Sequence, residues 1–318
     1  MNASNPPCPI CGHESQMHRT IGAFLIYSCR FCGHGHLFPR PAQSEIEKQY
    51  QNECSSIENS NAFAMLDAYK TRPGEVRTHY RWYLKRCAKL VNSVKDNISP
   101  LSIDAASARI FDAGCSCGVF VKCLMDCGFV NAEGIDVNAV AVRKGIESLG
   151  APITLGNISN LAQEKKYHCI IATTLLEHLS DPLSALAVFK SHLVKGGRLL
   201  VTVPNFDSLI RALMGSRWLW YMPPFHIHHF TPQSLRTAAA AQGFTVSKMD
   251  TLNTGTYLYL LHALVFGTAK TQRAAKGAIS SGMVRRIDSA VRAVLFPLIF
   301  VSGLCGKEPY IVGEFTNE

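Results

Sequence analysis

Short apolar runs alternate with helix-like stretches through the middle of the chain. Near Arg109, Ile110 to Gly118 reads as an apolar strand end followed by a glycine turn, and Ala132 to Val137, Ile153 to Leu155 and Tyr167 to Thr174 repeat the apolar pattern. Val119 to Cys127 lies between the first two and predicts a helix that ends at Gly128-Phe129. Leu193 to Asn205 predicts a helix end, a glycine turn at Gly196-Gly197 and a fifth strand. Buried parallel strands carry such near-continuous apolar and β-branched runs, and strands alternating with helices predict βαβ units. Thr231-Pro232 then opens a helix, with the threonine as cap and the proline at its first position. Gly243-Phe244 closes it. Phe244 to Leu252 and Pro309 to Phe315 predict a sixth and a seventh strand, the last one antiparallel. The expected fold class is α/β, a doubly wound seven-stranded sheet.

The pattern differs at the two ends. Ile21 to Tyr27 predicts one strand of a small hairpin, and Pro39 to Ser60 a polar linker with a short helix. Ala62 to Val94 carries apolar positions at helical spacing and predicts one or two helices. Arg77, Tyr80 and Arg81 on them are candidates to face an anionic substrate; a solvated basic face is the stronger expectation. Tyr257 to Phe266 and Val291 to Leu304 flank a basic segment with Lys270, Arg273, Lys276, Arg285, Arg286 and Arg292 against only Asp288. A helical cap over a substrate pocket is expected there. Peripheral contact with an anionic membrane is the second reading. The expected domains are 1–40, a ribbon; 41–108, a linker and lead-in helices; and 109–318, the sheet domain, with 253–306 as the insertion.

Composition narrows the class. A chain of 318 residues with 47% hydrophobic and 17% charged residues is globular, not disordered. Met1 to Cys11 carries no apolar run, so no secretory signal is expected. Ala293 to Val301 is interrupted by Pro297 and falls far short of the roughly 20 residues of a membrane span. Twelve cysteines, several in apolar surroundings, suit a reducing cytoplasm better than a disulfide scaffold. A net charge of +9 favours anionic partners without choosing among nucleic acid, membrane and phosphorylated small molecules.

The first chemical motif is Cys8-Pro-Ile-Cys11-Gly12 followed by Cys29-Arg-Phe-Cys32-Gly33. This spacing belongs to a zinc ribbon. Each pair aims two thiolates at one ion, and two pairs complete a tetrahedral shell. Four sulfurs leave no open position, so the zinc is expected to be structural, and His34 and His36 are expected to stand by.

The second motif is Asp112-Ala-Gly114-Cys-Ser116-Cys-Gly118 at the end of the first strand, with Asp136 ending the next strand. A glycine turn between strand and helix, with an acid about 20 residues on, is a nucleotide-binding arrangement. A dinucleotide fingerprint would need a glycine at Ser116 and another near Phe120. Asp112 suits a ligand that carries an ammonium and a sulfonium. Asp112 to Gly118 resembles motif I of the class I S-adenosylmethionine-dependent methyltransferases, with Ser116 at the usual middle glycine. Gly156-Asn157-Ile158, then Leu175 to Pro182 with Glu177-His178, then Leu193 to Asn205, resemble the ubiquinone-type members of that family in the same order. The resemblance covers about 109–205. It implies S-adenosylmethionine held by Asp112, Gly114, Ser116, Gly118, Asp136, Val137, Asn157, Ile158, Thr173 and His178.

Trp218 to Phe230 is rich in histidine and aromatic residues and lies at the carboxyl edge of the expected sheet, where open α/β folds bind ligands. In an extended segment His226 and His228 point the same way. His228 is the first candidate for a general base and His226 the second. No neighbouring carboxylate or cysteine in the sequence completes a metal shell around these histidines, so a metal is not expected among them. The expected function is methyl transfer to oxygen, nitrogen or carbon of a small molecule, a sugar, glycan or cell-envelope precursor. One alternative is an RNA methyltransferase with the ribbon as reader. Thr173-Thr174-Leu175-Leu176 stands where amine-methylating enzymes carry Asn/Asp-Pro-Pro-aromatic, so nucleic acid is not the expected partner. The other alternative is a non-catalytic cofactor-binding scaffold.

Overall fold

The computed structural model describes residues 5–41, 45–46, 61–93, 104–253 and 296–318. Of the expected insertion at 253–306, residues 254–295 lie outside them, and with them its basic residues; so does most of the expected linker.

The chain opens with strands β1 (Ser15–Ile21), β2 (Phe24–Cys29) and β3 (Gly35–Leu37). The strand expected over Ile21 to Tyr27 is instead the tip of this hairpin. Gly22, at φ 58, makes the turn within it. Helices α1 (Asn61–Thr71) and α2 (Pro73–Ser93) follow, separated at Arg72 because proline favours the first turn of a new helix.

The main sheet then begins with β4 (Arg109–Ala113), α3 (Val119–Asp126), β5 (Asn131–Asp136), α4 (Ala139–Leu149), β6 (Ile153–Leu155) and β7 (Tyr167–Thr173). It continues with α5 (Pro182–His192) and β8 (Leu193–Pro204). The expected helix end at Leu193 is already strand, since Leu193 pairs with Tyr167. Next come α6 (Leu209–Met214), β9 (His228–His229), α7 (Pro232–Ala241), β10 (Thr245–Leu252), α8 (Phe296–Leu304) and β11 (Tyr310–Thr316). Thr231 caps α7 in a reciprocal capping box with Ser234.

Seven strands form one sheet in the order β10-β11-β8-β7-β4-β5-β6. Five are parallel, and β11 runs antiparallel to both β8 and β10. The order reverses between β4 and β7, which both turn their carboxyl ends to one edge. Ligands of doubly wound sheets bind at that switch point. Alternate residues of β7 feed opposite faces: Ile171 packs with Leu66, Cys87 and Val121 beneath α1 to α4, and Ile170 packs with Phe189, Leu235 and Phe315 beneath α5 and α7. Arg86 of α2 forms an ion pair with Glu314 of β11 and ties the lead-in helices to the sheet.

The ribbon is not a separate bead. β3 pairs with β9, His36 opposite His228 and Gly35 opposite His229, so a second sheet runs β1-β2-β3-β9. A third apolar cluster of Ile26, Leu37, Phe206, Trp218, Tyr221 and Ile227 fills this junction. The expected boundary at residue 40 therefore cuts a sheet that both regions share. Among the described residues no helix is long and apolar enough to cross a membrane.

Candidate active site

A cavity of about 260 Å³ opens at the carboxyl ends of β4 and β7. Asp112, Gly114, Cys115 and Ser116 form its floor, Thr173 and Thr174 one side, and Ala62, Met65, Tyr80, Tyr83 and Phe120 the apolar wall. Gly114 adopts φ 77 and Ser116 φ 50, left-handed conformations that turn the chain sharply between strand and helix. Serine tolerates that conformation because its backbone N–H is anchored, donating to Asp136 Oδ2 at 2.7 Å. Asn138 N–H donates to the other oxygen at 2.8 Å, so the Asp136 carboxylate is held rigidly at the tip of β5.

Asp112 is the buried charge of the cavity. Burial, reinforced by the negative Asp136, pushes its carboxyl up to about 8. A cation in the cavity reverses that balance, because an opposite charge favours the ionised form.

A second polar cluster lies on the turn after β7 and the segment before β9. Glu177 and His178 sit in a single helical turn, Leu176–His178. His226 follows a turn in which its N–H donates to Met222 O. Ile227 N–H donates to Glu177 O at 2.9 Å and stitches the two segments. His178 and His226 meet edge to face, with ring centroids 4.6 Å apart. Glu177 is 1% exposed, and burial pushes its carboxyl up to about 8. Burial pushes His178 down to about 4 and His226 well below its ordinary value.

His228 points elsewhere. It is fully buried in the ribbon seam, with its Nδ1 3.0 Å from His34 Nε2. Burial pushes it down to about 3. The expectation that His226 and His228 share a face fails because residue 226 belongs to a turn and only His228 and His229 are extended.

The four ribbon cysteines converge. Their sulfurs lie within 4.8 Å of one another, with Cys8 to Cys32 at 3.6 Å and Cys11 to Cys29 at 3.5 Å. The two knuckles match: Gly12 N–H donates to Cys8 O, and Gly33 N–H to Cys29 O, each at 2.9 Å, with φ 74 and φ 72 at the glycines. Crowding splits the thiols: a hydrogen bond from Cys32 pulls Cys8 down to about 5, while burial pushes Cys11 up to about 11. No described cysteine is disulfide-bonded.

A family profile described as a methyltransferase domain matches residues 82–248, more than half of the chain. The chain belongs to this methyltransferase family. Its domain is that of an S-adenosylmethionine-dependent enzyme.

The methyltransferase is 20% identical over 165 residues to a mitochondrial ubiquinone biosynthesis O-methyltransferase of Dictyostelium discoideum, covering 45% of the chain and 51% of that protein. It is 25% identical over 175 residues to the ubiquinone biosynthesis O-methyltransferase of Aeromonas salmonicida, covering 50% of the chain and 73% of that protein. The chain thus spans little more than half the length of the first of these relatives. Among solved structures, a SAM-dependent methyltransferase of Archaeoglobus fulgidus overlays with a TM-score of 0.46 at 15% identity, covering 80% of the chain and 99% of that one.

Of the residues the sequence pointed to, Asp112, Gly114, Ser116 and Thr173 line the cavity of the methyltransferase. Gly118 does not: at φ 70 it lets α3 start against Ala151 and Ile153, whose side chains a Cβ would meet at 2.9 Å. Val137, Asn157 and Ile158 follow β5 and β6, next along the same edge, and Asn157 Oδ1 caps its own turn by accepting from Ser159 N–H. His178 joins His226. Sequence reasoning missed Tyr83, Met65 and Glu177. The first two belong to lead-in helices whose wall role no motif marks; Glu177 stood in plain view within the Glu-His motif.

Proposed function

We propose that the protein transfers a methyl group from S-adenosylmethionine to a small molecule, a sugar, glycan or cell-envelope precursor being the leading class. The carrying observation is Asp112, a buried carboxyl at the floor of a cavity at the switch point of the sheet. The residues fit the cofactor. Asp112 takes the methionine ammonium, Asp136 accepts from the ribose hydroxyls with its outer lone pairs, and Ala62, Met65 and Phe120 supply apolar contact. Val137, Asn157 and Ile158 are assigned to the adenine end. When bound, the cofactor supplies an electrophilic methyl on a sulfonium. The chain orients donor and acceptor in line and excludes water, which lowers the barrier by positioning.

The acceptor side is assigned to Glu177, His178 and His226. His226, the second candidate of the sequence, stays on this side facing the acceptor, and His228 becomes a positioning residue that braces the loop. The ribbon is assigned one structural zinc. Tetrahedral zinc with bonds of about 2.3 Å sets sulfurs roughly 3.8 Å apart, close to the spacing of the four cysteines.

Calorimetric titration of S-adenosylmethionine into the protein tests the cofactor assignment. One saturable site is expected, weakened about 10- to 100-fold by Asp112→Asn, the scale of a charge-assisted contact. Equal affinity in wild type and variant would overturn it.

A further inference from the structure

We propose that Glu177, His178 and His226 form a second metal site, for a divalent transition-metal ion, apart from the four cysteines. One carboxylate oxygen and one ring nitrogen from each histidine already lie within 4.8 Å of one another. The fold overturns the expectation that no carboxylate reaches these histidines: Glu177, 49 residues from His226 in the chain, is brought beside it across the loop seam.

Three features favour an ion over a packed polar cluster. First, both oxygens of the buried Glu177 carboxyl lack a hydrogen-bond partner among the described residues. Buried polar groups are almost always partnered, and an orphaned pair needs an explanation such as an ion. Second, both histidines are held in the tautomer that metal ligands use. His178 Nδ1 faces Phe225 O at 3.1 Å, and His226 Nδ1 faces Trp220 O at 2.7 Å. A carbonyl only accepts, so each Nδ1 carries the proton and each Nε2 keeps its lone pair. Metal-ligating histidines are held in this way. Third, the donor set is chemically coherent. Two imidazoles and a carboxylate suit zinc, cobalt, nickel or iron rather than the all-oxygen preference of magnesium or calcium.

Three protein ligands leave coordination positions open, the pattern of catalytic rather than structural sites. Resting on the proposed reading of this face as the acceptor side, the site selects acceptors that present an oxygen to the ion.

The test uses cobalt(II) added to the full-length, metal-stripped protein, with neither cofactor nor acceptor present. The two sites differ spectrally, because thiolate ligands give sulfur-to-metal charge-transfer absorption and nitrogen and oxygen ligands do not. Two equivalents are expected, one of them without that absorption. His226→Ala and Glu177→Gln should each weaken this second equivalent at least about tenfold while the thiolate band persists. That band is the folding control, and the nearly isosteric Glu177→Gln stands in should His226→Ala fail to fold. Binding of one equivalent only, or a second that both variants retain, would overturn the site. Because the readout needs no methyl transfer, its failure is distinguishable from failure of the proposed function.

Discussion

His34 and His228, 194 residues apart in the chain, share a 3.0 Å hydrogen bond in the buried seam between ribbon and sheet domain. Around it β3 pairs with β9, and the Thr231 hydroxyl donates to Cys32 O at 2.9 Å. The ribbon and the loop that carries His226 are therefore one packed unit, and the order of one depends on the other.

Disrupting the ribbon should reach the loop that carries His226. Cys29→Ser, or a strong chelator, is expected to abolish methyl transfer and to raise amide hydrogen exchange at 226–231 along with the ribbon. Exchange that rises in 8–37 alone would show that the seam does not couple them.

The seam also predicts the acid response. His36, His228 and His229 are pushed down to about 4, 3 and 3, in each case first by burial. Below about pH 6.5 the unfolded chain binds protons that these folded histidines refuse, so stability falls as pH drops from 6.5 towards 4. Each contributes about 1.4 kcal/mol per pH unit. His229, packed among Phe206, Trp218 and Tyr221, can be replaced by phenylalanine. Denaturant unfolding of His229→Phe between pH 6 and pH 4.5 should show a slope shallower by about that amount.

Cofactor affinity should depend on pH in the opposite window. Asp112 holds its proton up to about 8 in the free protein, and the cofactor's ammonium requires the carboxylate. Affinity is expected to climb by up to about tenfold per unit as pH rises towards 8, then level off. Asp112→Asn should flatten that dependence, as calorimetry at pH 6, 7 and 8 will read.

Gly118→Ala should damage the fold. The left-handed conformation costs a non-glycine residue about 1–2 kcal/mol, and the Cβ would press on Ala151 and Ile153, overpacking that costs about 1–3 kcal/mol. Urea unfolding should register a loss of roughly 2–5 kcal/mol.

The sheet was legible because Ile110, Ile170 and Val201 sit in short apolar, β-branched runs bounded by turn residues, as buried strands are, and Thr231-Pro232 announced α7 by its capping chemistry. The floor of the cavity was legible because a strand-to-helix turn constrains Gly114 and Asp112 locally. The seam was not. β9 is two histidines long and shows no alternation, and its pairing with β3 is a contact between distant segments that no local pattern encodes. The same holds for Glu177 and His226: each was visible alone, and only the folded loops put them together. The misjudged direction of His228 came from treating residues 226–228 as one extended stretch, where Met222 instead accepts the hydrogen bonds of a turn.

The most direct test of methyl transfer to a small molecule is incorporation of label from S-adenosylmethionine, carrying an isotope in its methyl, into a host extract divided into RNA, lipid, and nucleotide-sugar or glycan fractions. Label in the nucleotide-sugar or glycan fraction, absent with Asp112→Asn, is the predicted result. Label that RNase releases, or no transfer into any fraction, would contradict it.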